Sequence, residues 1–141
     1  MIGSCCWSSG HDLGVDGQEL RELCLAFRGS SETFPFGWQW SVFKVASRMF
    51  ALARLEGDPL SVSVKCEPML AEQLRAAHPT VTPGYHLNKR HWNTVVIDGS
   101  LPDEMIADMI EDSYDLVVSK LSRARRHALG WPADRARRAP R

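Results

Sequence analysis

Residues 60–66 read LSVSVKC, an alternation that sets Leu60, Val62, Val64 and Cys66 on one side and Ser61, Ser63 and Lys65 on the other. A period of two with one apolar side marks a strand packed on a single face, so the chain is expected to build a sheet with one wet side. Just upstream, residues 40–46 and 48–55 are rich in aromatic and aliphatic side chains and nearly abut. That favours a tight hairpin over a helix interrupted by Lys44 and Arg48. The intervening Ala46-Ser47 is weak turn chemistry, because two-residue hairpin turns prefer Gly, Asn or Asp where φ is positive. EGDP at 56–59 supplies the next turn.

Helical spacing flanks this region. Asp16 and Glu19 form a capping-box pattern ahead of Leu20, Leu23, Cys24 and Phe27, and Gly29 offers a stop. Residues 1–14 mix Gly, Ser and Cys with little periodicity and are expected to be a disordered extension. Pro68 opens a short helix to about Ala77, with Leu70, Leu74 and Ala77 as its buried stripe, and His78-Pro79 ends it. Thr82-Pro83-Gly84 reads as a turn. Tyr85 to Leu87 and Trp92 to Asp98 read as a second hairpin around Asn88, Lys89 and Arg90, with the VVID run as its β-branched core. The last long helix is expected from Ser100, with Asp103 in the matching capping-box position and Pro102 in the first turn. It continues through Ile106, Met109, Ile110, Val117 and Leu121. The fold class is therefore α+β: one domain over residues 15–121, an antiparallel sheet of about five strands, and three helices.

At 141 residues and 44% hydrophobic positions, the chain can bury a core without staples. No stretch approaches the length of uncharged apolar sequence that spans a bilayer, and the first residues lack the pattern of a secretory signal, so a soluble cytoplasmic protein is expected. Cys5, Cys6, Cys24 and Cys66 have no finger-type spacing and read as reduced thiols. Net charge is zero, but unevenly spread. Residues 122–141 hold seven Arg and one Asp, a net of plus 6, which leaves minus 6 on residues 1–121. That tail is expected to be flexible and would attract any polyanion without specificity.

The chemistry concentrates in residues 82–95, TPGYHLNKRHWNTV. Lys89 and Arg90 can meet phosphates, Tyr85 and Trp92 offer stacking faces, and His86, Asn88, His91 and Asn93 offer hydrogen bonds, a set that suits a nucleic acid. The plainer structural alternative gives the aromatics cross-strand packing, the Asn residues turn capping, and the two cations a solvated hairpin tip. His86 and His91 lack a third ligand at metal spacing, and HExxH, CxxC, GxSxG and Gly-rich phosphate loops are all missing. No cofactor, no metal and no catalytic residues are expected, and an enzyme is not favoured. The acidic run Asp103, Glu104, Asp108, Glu111, Asp112 and Asp115 reads as a solvated helix face, its first two residues favouring the helix dipole. Lys44, Arg48 and Lys65 could form a positive patch on the wet side of the sheet.

These stretches, with FPFG (34–37), VKCEP (64–68), DGSLPDE (98–104) and SYDLVVSKL (113–121), resemble the MmcQ/YjbR family of small bacterial proteins. The resemblance covers residues 16–121. It implies a compact α+β domain with an antiparallel sheet, likened to a double-wing DNA-binding arrangement in which β-hairpins approach the duplex. Carried onto this chain, the surface would comprise Tyr85, His86, Asn88, Lys89, Arg90, His91, Trp92 and Asn93, assisted by Lys44 and Lys65. DNA is the partner so implied. The rival is a small-ligand or protein-interaction module in which the Tyr, His, Asn and Trp cluster lines a pocket. No membrane partner is expected, and the oligomeric state is open with a monomer favoured.

Overall fold

The computed structural model describes residues 16–56, 59–84 and 87–130; the expected N-terminal extension and residues 131–141 of the basic tail lie outside that range. The first helix, α1 (Gly17–Leu25), starts as its sequence demands. Asp16 Oδ1 accepts the Glu19 N–H at 2.8 Å and Glu19 Oε1 accepts the Asp16 N–H at 3.1 Å, while Leu20 and Cys24 turn inward. Strands β1 (Ser30–Thr33), β2 (Ser41–Val45), β3 (Arg48–Arg54) and β4 (Leu60–Lys65) follow, then α2 (Pro68–Ala77), β5 (Val81–Pro83), β6 (Trp92–Ile97), α3 (Asp103–Ser119) and α4 (Arg123–Ala128).

All strand pairs are antiparallel and the sheet order is β1-β2-β3-β4-β6-β5, so the expected sheet gains a sixth strand. Two strands carry almost no sequence signal. SSET has no apolar alternation, and β5 is three residues ending in proline. Both are edges, where pairing with one neighbour and a proline lacking its N–H are tolerated. The second hairpin consequently forms between Val81–Pro83 and Trp92–Ile97, two to four residues upstream of the expected first strand.

The β2–β3 hairpin closes through Ala46 at φ 50° and Ser47 at φ 67°. Two consecutive left-handed residues match the right-handed strand twist, and neither residue type favours that region. Ala46 packs against the core and Ser47 is exposed. Ser47→Gly is expected to raise stability by about 1 kcal/mol, seen as a higher urea midpoint at unchanged slope; an unchanged or lower midpoint would refute the strain.

Register shifts one pair further on. Phe43 faces Ala51 but Lys44 faces Met49, so Phe50 is an extra residue on β3. The bulge turns Phe50 fully into the core and disturbs its pairing with β4. Ser113 of α3 repairs the gap: its Oγ donates to the Phe50 carbonyl at 2.6 Å and accepts the Lys65 N–H at 2.8 Å. The next residue, Tyr114, stacks on Phe27 (centroids 4.8 Å apart), meets Phe50 edge-on at 5.4 Å, and donates its hydroxyl to the Arg28 carbonyl at 2.6 Å.

Helix α3 therefore lies across β3 and β4 and buries Ile106, Met109, Ile110, Val117 and Val118 against Phe43, Ala51, Val62 and Val64. It begins three residues later than expected. Ser100 is not its cap, because the Ser100 N–H donates to Asp98 Oδ1 at 3.0 Å, Gly99 takes φ 90°, and Pro102 becomes the N-cap. Hydrogen bonds from Ser100 hold the exposed Asp98 carboxyl below its usual range.

In α2 the buried residue is Ala71, whereas Leu70 and Met69 are 41% and 76% exposed and Ala77 is exposed. The stripe is narrower than the sequence pattern because α2 packs mainly over the β5–β6 edge. The far side of the sheet is also drier than expected. Val42, Leu52 and Ser63, in register across β2, β3 and β4, are buried, and the Ser63 and Thr94 hydroxyls bond each other at 2.7 Å.

The start of the basic tail forms a short helix. Ser122 Oγ accepts the Arg125 N–H to cap α4, and Leu129 reaches the core beside Gly29, where a Cβ would sit 2.5 Å from Leu129 Cδ2. Among the described residues no helix is long and apolar enough to cross a membrane.

Candidate functional site

At the end of the sheet where β4 stops and β6 starts, residues 84–91 form the β5–β6 connection. Gly84 opens it. Its N–H donates to the Trp92 carbonyl at 2.8 Å, and a Cβ there would lie 2.7 Å from Trp92 Cβ, so only glycine allows the approach. Asn88 Oδ1 accepts the Arg90 N–H at 2.9 Å and its carbonyl accepts the His91 N–H, an Asx turn that leaves Lys89 and Arg90 exposed, the Lys89 ammonium turning back to donate to the Gly84 carbonyl at 3.4 Å. The His91 carbonyl accepts the Cys66 N–H at 2.8 Å, tying the loop to the exit of β4. Beneath it Asn93 is 1% exposed. Arg75 Nε of α2 donates to Asn93 Oδ1 at 2.7 Å, Asn93 Nδ2 donates to the Ala71 carbonyl at 3.4 Å, and the Arg75 guanidinium also donates to the Lys89 carbonyl. The loop is thus held from below by one buried amide and one arginine.

Between this loop, the segment joining β4 to α2, and the last turns of α3 lies a cavity of about 360 Å³. Asn88, His91 and Trp92 form the loop wall, Lys65, Cys66, Glu67 and Pro68 the wall at the head of α2, and Leu116 and Lys120 the wall from α3. Lys65, Lys120 and His91 bring basic groups from three elements, while Glu67 adds a carboxylate to the lining and Asp112 stands close enough to Cys66 to add to the rise that burial gives its thiol. No side chain caps the N-terminus of α2 at this point. Burial pushes the Cys66 thiol up to about 11 and the Cys24 thiol to about 12, so both stay protonated at neutral pH and neither is poised as a nucleophile. No group of three His, Cys, Asp or Glu among the described residues could hold a metal ion.

The sequence that builds this site matches a known family. The model of the family described as YjbR matches residues 25–116. The chain belongs to the YjbR family. It is 39% identical over 111 residues to the uncharacterized protein YjbR of Escherichia coli K12, covering 79% of this chain and 94% of the relative. The uncharacterized protein YbdF of Escherichia coli O157:H7 is 34% identical over 114 residues, covering 77% and 93%. The crystal structure of a Deinococcus radiodurans protein of the family-model domain DUF419 is similar with a TM-score of 0.78 at 45% identity, over 83% of this chain and 89% of that one. A Pseudomonas syringae protein gives a TM-score of 0.54 at 30% identity, covering 62% and 86%.

With the YjbR fold in hand, the residues singled out from sequence fall into separate places. Asn88, His91, Trp92 and Lys65 border the cavity, Lys89 and Arg90 stand exposed at its outer rim, and Asn93 is buried underneath as an anchor. Tyr85 and His86 lie outside the described residues. Lys44 sits at the same end of the sheet, two strands from Lys65 and thus roughly 10 Å away, and does not line the cavity. Sequence reasoning missed Lys120, Leu116, Cys66, Glu67 and Pro68 as lining residues. Their signal was present in the VKCEP and SYDLVVSKL strings, which mark the two walls facing the loop. The FPFG string falls elsewhere. Phe34, Phe36 and Trp38, exposed by 47%, 66% and 69%, occupy the β1–β2 connection at the opposite end of the sheet.

Proposed function

We propose that this YjbR-family chain binds nucleic acid, using the end of the sheet that carries the 84–91 loop, and acts in the cytoplasm. The observation that carries the reading is the convergence of Lys65, His91 and Lys120 from three elements around one cavity, with Lys89 and Arg90 on its rim. Residues 1–121 carry a net charge of minus 6, so outside the Arg-rich tail a polyanion finds few other places to make the phosphate contacts on which such affinity rests. The anchoring of the loop by Arg75 and Asn93 supports the same reading, because a rim held in place loses little entropy on binding.

Fluorescence anisotropy with a labelled DNA tests it. Affinity is expected to fall steeply with added salt, and Lys89→Ala/Arg90→Ala is expected to weaken binding about ten-fold or more at low salt. Replacing Arg135, Arg137, Arg138 and Arg141 by Gln is expected to lower affinity while leaving the effect of the loop variant intact. If the tail variant alone abolishes binding, or the native protein binds no DNA at low salt, the reading fails and a small-molecule ligand for the cavity takes its place.

A further inference from the structure

The shape of the site points to a particular form of nucleic acid, an inference that rests on the reading above. A duplex presents its bases stacked and its phosphates on a convex surface, and a protein that tracks it needs an extended basic face. Here the cations gather around a concavity. Its volume of about 360 Å³ is near the lower limit of pockets that enclose a small organic molecule. Trp92, directly across from Lys65 in the β4–β6 pair, borders the concavity, with the apolar Leu116 and Pro68 on other walls. Asn88 is already fixed through its Oδ1, which leaves its Nδ2 group as the donor to present to a base edge. Lys65 and Lys120 stand on separate walls, where a phosphate attached to the bound unit can meet them.

We infer that the cavity holds one unstacked nucleotide, its base against Trp92 and its phosphate at Lys65 and Lys120, so that the protein prefers single-stranded nucleic acid over duplex. Stacking on an aromatic face contributes about ten-fold or more in affinity per base and is available only to a base outside a helix. It also reduces the number of phosphate contacts required, which suits an acidic body. Enzymes that act on bases admit an extruded nucleotide into a comparable pocket; here the pocket requires only that the base be accessible.

The test compares anisotropy of a short labelled single strand with the same strand in a duplex, using full-length protein. The single strand is expected to bind at least about ten-fold tighter. Trp92→Leu and Lys120→Gln should remove most of that preference, whereas Arg90→Ala, outside the cavity, should weaken both forms alike. Lys120 is exposed, so its variant carries the test if Trp92→Leu lowers the melting temperature. A mixture of the four deoxynucleoside 5′-monophosphates, added as competitor, separates two sources of the same chemistry. Displacement by the free nucleotides at concentrations near those of the strand assigns the cavity to a free nucleotide; no displacement assigns it to a strand. Equal affinity for both DNA forms, unchanged in the cavity variants and unaffected by the competitor, would overturn the inference while leaving nucleic-acid binding standing. No binding of either form would remove the reading beneath it.

Discussion

Replacing Ser113 by alanine is expected to destabilise the protein by about 3 kcal/mol, though it removes a single oxygen atom. The hydroxyl serves two backbone groups at once, the Phe50 carbonyl and the Lys65 N–H, and Ser113 is 0% exposed. Without it both groups stay in the interior with no partner, and each costs roughly 1–3 kcal/mol of lost hydration. β3 and β4 cannot close on each other in compensation, because the extra residue Phe50 separates them and its ring is locked against Phe27 and Tyr114. Urea unfolding followed by circular dichroism measures the effect. A loss below about 0.5 kcal/mol would show that water or strand rearrangement replaces the hydroxyl.

Asn93→Ala is expected to cost about 2–3 kcal/mol and to loosen the binding loop as well. Asn93 holds the Arg75 guanidinium on one side and the Ala71 carbonyl on the other, and hydrogen bonds to a charged group contribute more than neutral ones. Arg75 in turn reaches the Lys89 carbonyl, so removal of the amide releases a chain from β6 through α2 to the loop. Hydrogen exchange should therefore quicken at the amides of Arg90 and His91 more than at those of β3, and nucleic-acid affinity should fall although Asn93 is out of reach of any ligand. Uniform acceleration across the sheet would mean that Asn93 acts on global stability alone. Arg75→Lys should reproduce part of the loosening, since lysine keeps the charge but lacks the planar fork that bonds two acceptors.

These two residues show what could be read from the sequence and what could not. The strand at 60–65 and the capping box at Asp16 stand out because their signals are local: alternation in one, a three-residue spacing in the other. The edge strands Ser30–Thr33 and Val81–Pro83 lack a pattern of their own and are set by pairing with the next strand along the chain, which their own few residues do not reveal. Ser100 matched a cap pattern, yet Asp98 took its N–H first and the helix began at Asp103. The hairpin residues were legible as a polar cluster. Their division into a cavity wall (Asn88, His91, Trp92), an outer rim (Lys89, Arg90) and a buried anchor (Asn93) was not, because it depends on α2 and α3, which lie apart from the loop in sequence. Lys120, 29 positions beyond His91 by their numbers, completes the cavity only after α3 has crossed the sheet.

The seating of α3 also sets when this protein can fold during synthesis. The β3 bulge is complete as a chain segment by residue 54, and all six strands by residue 97, but the hydroxyl that satisfies the bulge and the ring that seals Phe27 and Phe50 belong to residues 113 and 114. A nascent chain that has exposed its whole sheet to solvent therefore still holds an unsatisfied bulge and an unfilled core. Commitment to the native state waits on α3, and until it docks the emerging sheet is a surface for chaperones and for misassembly with other chains.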